Sequence, residues 1–102
     1  MPNKILQINL RFNVSAKELA EEFFTAAGHI AAVSGLKWKI FCMNKERGEG
    51  AGIYLFEDDD ALKSYLEGPI IAGMKDKKAF SDITMKTFDV AEESTAITRG
   101  PI

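Results

Sequence analysis

The chain has little that binds metal or crosslinks: one cysteine, Cys42, and one histidine, His29, in 102 residues. A lone thiol excludes an internal disulfide and suits a reducing compartment. So few soft ligands leave no transition-metal cluster to be built from this chain alone. Long apolar runs are missing too; none approaches the roughly 20 residues of a membrane span. Gln7 and Asn9 interrupt the first apolar stretch, which argues against a secretory leader. No charge of one sign dominates. The 13 basic and 15 acidic side chains leave a net charge of −2, so no global field gathers nucleic acid or an anionic membrane. The expectation is a cytoplasmic protein with no metal, no membrane and no nucleic-acid partner.

What is present is ordinary in amount and specific in pattern. A fraction of 46% hydrophobic and 27% charged residues is that of a globular domain. A chain of this length hides roughly 65% of its unfolded surface, enough for one core without staples. Lys4 to Asn13 alternates as a strand, with Leu6, Ile8, Leu10 and Phe12 opposite Gln7, Asn9 and Arg11. Ser15 and Glu18 have capping-box spacing and start a helix striped by Leu19, Phe23, Ala26, Ala27 and Ile30. Ser34-Gly35 ends that helix. Gly35 to Phe56 reads as two strands joined by a polar, glycine-rich turn. A second helix starts at Asp58-Asp59-Asp60 and is broken or kinked at Gly68-Pro69. A last strand spans about Asp82 to Val90, and Ala91 to Ile102 has no period.

The order β-α-β-β-α-β predicts an α+β, ferredoxin-like domain, an antiparallel four-stranded sheet with both helices on one face. The domain is expected over residues 1–91, with a C-terminal tail over 92–102. Strict alternation along the strands predicts a helix-covered face of Leu6, Ile8, Leu10, Phe12, Trp38, Ile40, Ile53, Leu55, Ile83 and Met85. The opposite face would then carry Gln7, Asn9, Arg11, Lys39, Phe41, Tyr54, Phe56, Lys86 and Phe88. Three phenylalanines and a tyrosine there are too apolar for solvent, and a second copy of the same sheet is the economical cover. The expected assembly is a homodimer.

Several constellations have plainer readings. Gly48-Glu49-Gly50-Ala51-Gly52 leads into a strand, whereas phosphate loops lead into a helix, so it reads as hairpin chemistry. Glu57-Asp58-Asp59-Asp60 is explained by capping at a helix start. His29 can be a haem ligand, a base or a ligand contact, but a surface or groove histidine is the plainer reading. Cys42 reads as core filler. Trp38 is a core residue or a catalytic one. Tyr54, Lys39, Lys86, Arg11 and Asn9 form the group that invites a planar anion, by charge and stacking; mutual satisfaction across an interface is the alternative. RNA-recognition domains share the topology, but the first-strand aromatic is absent and the chain is acidic.

Gly35-Leu36-Lys37-Trp38-Lys39, Gly52-Ile53-Tyr54-Leu55-Phe56 and Phe88-Asp89-Val90 together resemble the YdhR-type mono-oxygenase family of the dimeric α+β barrel superfamily. The resemblance runs from the first strand to Val90, with a fainter likeness in Glu93 to Arg99. It implies two four-stranded sheets packed as a barrel. It also implies a cofactor-independent mono-oxygenase of a small aromatic or quinol-like compound, needing neither metal, flavin nor haem. Carried onto this chain, Trp38, Tyr54 and Lys39 are the candidate catalytic residues. Asn9, Arg11, Phe56, Lys86 and His29 are the candidate substrate contacts. Relatives in the superfamily also include plain binding proteins, so a non-catalytic barrel holding a small hydrophobic ligand is the second expectation.

Overall fold

The structure, a computed structural model, describes residues 2–102. Four strands and four helices follow in the order β1 (Lys4–Phe12), α1 (Ala16–Ala31), β2 (Leu36–Asn44), β3 (Glu49–Phe56), α2 (Asp59–Leu66), α3 (Pro69–Lys75), β4 (Phe80–Asp89) and α4 (Glu92–Ile97). The strands form one antiparallel sheet in the order β2-β3-β1-β4, the ferredoxin-like arrangement expected from the sequence.

Local chemistry sets the elements. The Ser15 hydroxyl accepts from the Glu18 amide at 3.1 Å and so caps α1. The Asp58 carboxylate does the same for α2, accepting from Ala61 N at 2.8 Å. The predicted break falls where expected: Glu67 caps α2, and Pro69 opens α3 at the first helical position, where its missing N–H costs nothing. Gly48 in the hairpin turn has φ +66°, a conformation that glycine adopts without strain.

The core is Leu6, Ile8, Ile30, Tyr54, Phe56, Leu62, Tyr65 and Ile71, with Phe41, Leu36, Ile83 and Met85 packed against it. This corrects the predicted faces of the hairpin. β1 and β4 bury the residues expected, but β2 and β3 are turned over. Tyr54 pairs with Leu6 on one side and Lys39 on the other, and Gly52 pairs with Ile8 and Phe41. Directly paired residues share a face, so Lys39, Phe41, Tyr54 and Phe56 lie under the helices. Trp38, Ile40, Cys42, Ile53 and Leu55 lie on the open face, and Cys42 is therefore not core filler beneath the helices. A register shift between Leu36 and Trp38 completes the inversion. With Lys37 as the extra residue, Leu36 stays with Phe56 over the core while Trp38 opposes Leu55 on the other face.

The last residues cross that open face at one end. Asn3 Nδ2 donates to the Glu92 carboxylate, and Trp38 Nε1 donates to Pro101 O at 2.7 Å. Leu55 is fully buried although it points away from the helices.

Candidate functional site

Between the sheet and the helices is a cavity of about 310 Å³, partly open to solvent. Its floor is Ile8 and Leu10 of β1, Lys39 and Phe41 of β2, and Gly52 and Tyr54 of β3. Phe23, Ala26 and Ile30 of α1 form one wall, and Tyr65, Ile70 and Met74 of α2 and α3 the other. The volume is at the small end of the roughly 300–1,000 Å³ typical of ligand pockets.

One charged group reaches into this apolar space. Lys39 Nζ stands 3.9 Å from the Phe41 ring centroid and 4.5 Å from that of Tyr54. Its stem passes over Gly52, where a Cβ would come within 2.8 Å of Lys39 Cε and 3.0 Å of the Tyr54 ring. Only glycine leaves room for the lysine to lie flat on the sheet. Among the described residues Lys39 has no carboxylate partner and no hydrogen bond. Burial of the charged form lowers its pKa from the ordinary 10.5 to about 8. Lys77, also on the cavity's lining, is paired with Glu22 at 3.0 Å.

The second polar feature is a tyrosine pair. The Tyr65 hydroxyl donates to the Tyr54 hydroxyl at 3.1 Å, and the two rings lie 5.2 Å apart. Burial, reinforced by Tyr65, pushes the Tyr54 pKa well above the usual phenol value. Burial raises that of Tyr65 as well. Tyr54 is therefore a protonated phenol at neutral pH. The two hydroxyls share one hydrogen bond, so the pair keeps one further hydrogen to offer.

The residues singled out in the sequence are thus divided between places. Lys39 and Tyr54 meet in the cavity, and Phe56 packs behind Tyr54 at 6.0 Å between ring centroids without lining the space. Asn9, Arg11, Lys86 and Trp38 are on the opposite face of the sheet, and the indole N–H of Trp38 is occupied by Pro101. Arg11 donates to Arg47 O in the hairpin turn. His29 lies in an open groove that adjoins the cavity, sharing Glu22, Ala26 and Lys77 with its lining, beside Glu18, Glu21 and Thr25. Phe23, Phe41, Tyr65 and Phe80 are aromatic lining residues absent from the predicted site, Phe23 and Tyr65 among them on the helices. Their signal was present as helical apolar positions, Phe23 in the α1 stripe and Tyr65 beside Leu62 and Leu66.

Comparison with known proteins adds a family and a fold. The family model described as "Putative mono-oxygenase ydhR" matches residues 5–101. No curated protein matches the chain. Among solved structures, a protein of unknown function from Nitrosomonas europaea is 18% identical, over 89% of this chain and 91% of its own, with a TM-score of 0.75. SnoaB, a cofactor-independent oxygenase from Streptomyces nogalater, is 15% identical over 90% of this chain and 96% of its own, with a TM-score of 0.73. The haem-degrader MhuD from Mycobacterium tuberculosis is 18% identical over 85% and 95%, with a TM-score of 0.65. At these identities the shared property is the fold. A haem held by histidine does not fit the cavity found here: among the described residues no histidine or cysteine lines it, and His29 lines the adjoining groove instead.

Proposed function

This chain belongs to the ydhR mono-oxygenase family, and from that premise we propose that it oxidises a small electron-rich aromatic without a cofactor, with the cavity around Lys39 as its site. The observation that carries the reading is the unpaired ammonium of Lys39 in an apolar, aromatic-walled space. A partly buried cation without a counter-charge is unfavourable, and an anionic ring compound seated on Phe41 and Tyr54 supplies the missing charge.

The chemistry asked of the protein is modest. Lowering a phenol pKa from about 10 to 7 takes about 4 kcal/mol. One unit charge about 4 Å away, at an effective dielectric near 20, supplies about that much. The electron-rich phenolate then passes an electron to dioxygen. Recombination at a ring carbon followed by loss of water gives a quinone. One oxygen atom enters the substrate and the other leaves as water, carrying the hydrogens of the C–H and O–H bonds. All four electrons come from the substrate, so no further reductant enters. In this scheme Lys39 stabilises the substrate anion and Tyr54 donates a hydrogen bond to its oxygen. Phe23, Phe41 and Tyr65 hold the ring.

The same reading includes a homodimer joined by the open sheet face. Support comes from Ile40 and Phe88, large apolar side chains about half exposed on that face. Among the described residues no helix is long and apolar enough to cross a membrane.

Oxygen uptake by chelated, flavin-free protein, measured with a panel of monocyclic and bicyclic quinols, tests the proposal. Consumption is expected in the parent and is lost in Lys39→Met. Tight binding across the panel with no oxygen consumed would replace the oxygenase with a binding barrel.

A further inference from the structure

Lys39 has a second chemical capacity that does not depend on oxygen. Its amine is inside the cavity, held over two aromatic rings and free of any carboxylate among the described residues. The other amine on the lining, Lys77, is tied to Glu22. The hydroxyl of Tyr54, on the ring beneath the lysine, shares one hydrogen bond with that of Tyr65, which leaves the pair one hydrogen to donate. An amine beside a phenol in a mainly apolar pocket is the arrangement that carbonyl capture needs: a nucleophile for carbon and a proton donor for oxygen.

We propose that Lys39 captures small aromatic aldehydes in this cavity as an imine. The amine nitrogen adds to the carbonyl carbon while Tyr54 hydrogen-bonds to the carbonyl oxygen. The oxygen then leaves as water with the two amine hydrogens, and a C=N bond replaces C=O. No oxidant or reductant takes part. Partial burial favours the step by holding Lys39 near a pKa of about 8, so that a useful fraction is neutral close to pH 7. The other ionisable groups around the amine are Tyr54 and Tyr65, both held neutral, the paired Glu22 and Lys77, and Cys42 on the same strand, whose thiolate would act against the lowering of the Lys39 pKa.

Benzaldehyde with cyanoborohydride, applied to the full chain near pH 7.5 without oxygen, reads the capture directly as a benzyl group on a named lysine. Peptide mapping should place the label on Lys39 about tenfold ahead of any other lysine, the advantage of an amine titrating near 8 over one near 10.5 after its lower basicity is allowed for. In Lys39→Arg the selective label should vanish, and in Tyr54→Phe it should form several-fold more slowly with the site unchanged. Labelling of Lys39 no faster than exposed Lys37 or Lys45 in the parent would overturn the proposal. Because oxygen is absent, that result is independent of whether the protein is an oxygenase.

Discussion

At the scale of residues, Lys39 is the group on which the proposed site rests, and burying its charge should weaken the fold. Its pKa falls from 10.5 to about 8 on folding, so between those values the unfolded chain holds the extra proton and stability rises with pH. Below about pH 8 the folded protein bears the whole cost of the buried charge, on the order of 3 kcal/mol at most. Lys39→Met keeps the apolar stem and removes that cost. The variant should therefore be more stable than the parent by up to about 3 kcal/mol at pH 7. Its advantage should shrink as pH rises past 8 and be gone above 10.5. Urea unfolding at several pH values checks both the sign and the window. A variant less stable than the parent at pH 7 would mean that the amine has a partner this account omits.

At the scale of elements, the hairpin decides what the sheet presents to the helices. Gly52→Ala would place a methyl 2.8 Å from the Lys39 stem, at the flexible end of a side chain rather than against backbone. The fold should survive while the lysine is displaced, and the amine's titration should move back toward 10.5, visible by NMR of the lysine side chain. Ser15→Ala, at the other end of the legibility scale, should simply cost about 1 kcal/mol. That contrast is also the contrast between what was readable and what was not. The Ser15 cap, the break at Gly68-Pro69 and the strand order rest on signals a few residues long, and all are legible. The hairpin's facing is not. Ile53, Tyr54, Leu55 and Phe56 are apolar at every position, so either parity buries a good face, and Lys37 and Lys39 bias the reading toward placing Lys39 outside. Glycines at 50 and 52 break the tie. They leave hollows on the helix side that Leu10 and Phe23 fill over Gly50, and Lys39 with Tyr54 over Gly52. The shift at Lys37 then separates Leu36 from Trp38, which no period-2 pattern reveals. The sequence pattern therefore pairs Tyr54 with Lys39 but on the opposite face from the observed one, and Trp38 does not line the cavity.

At the scale of the whole molecule, the open sheet face is the surface left to explain. The dimer contact expected from the sequence used Phe41, Phe56 and Phe88, but only Phe88 is on that face. Ile40 takes the place of the other two. α4 and the following residues cover one end near Trp38 and Leu55, leaving Ile40, Ile53, Ala51 and Phe88 for a partner. Ile40→Asp or Phe88→Asp should hold the chain as a monomer by sedimentation, since an unpaired carboxylate buried in such a contact costs several kcal/mol. Phe41→Asp should instead destabilise the domain, because Phe41 packs against the core from beneath the helices. Dimers persisting in both open-face variants would place the contact elsewhere.

The claim on which the rest depends is that Lys39 holds an aromatic anion in the cavity, and the pKa of a bound phenol measures it most directly. 2-Naphthol titrated by its absorbance in the presence of saturating protein reports that pKa against the free value. The account predicts a fall of about one unit or more, with about three as the ceiling for one charge at close range, and a return to the free value in Lys39→Met. An unchanged pKa in the parent, or an equal fall in parent and variant, would contradict it.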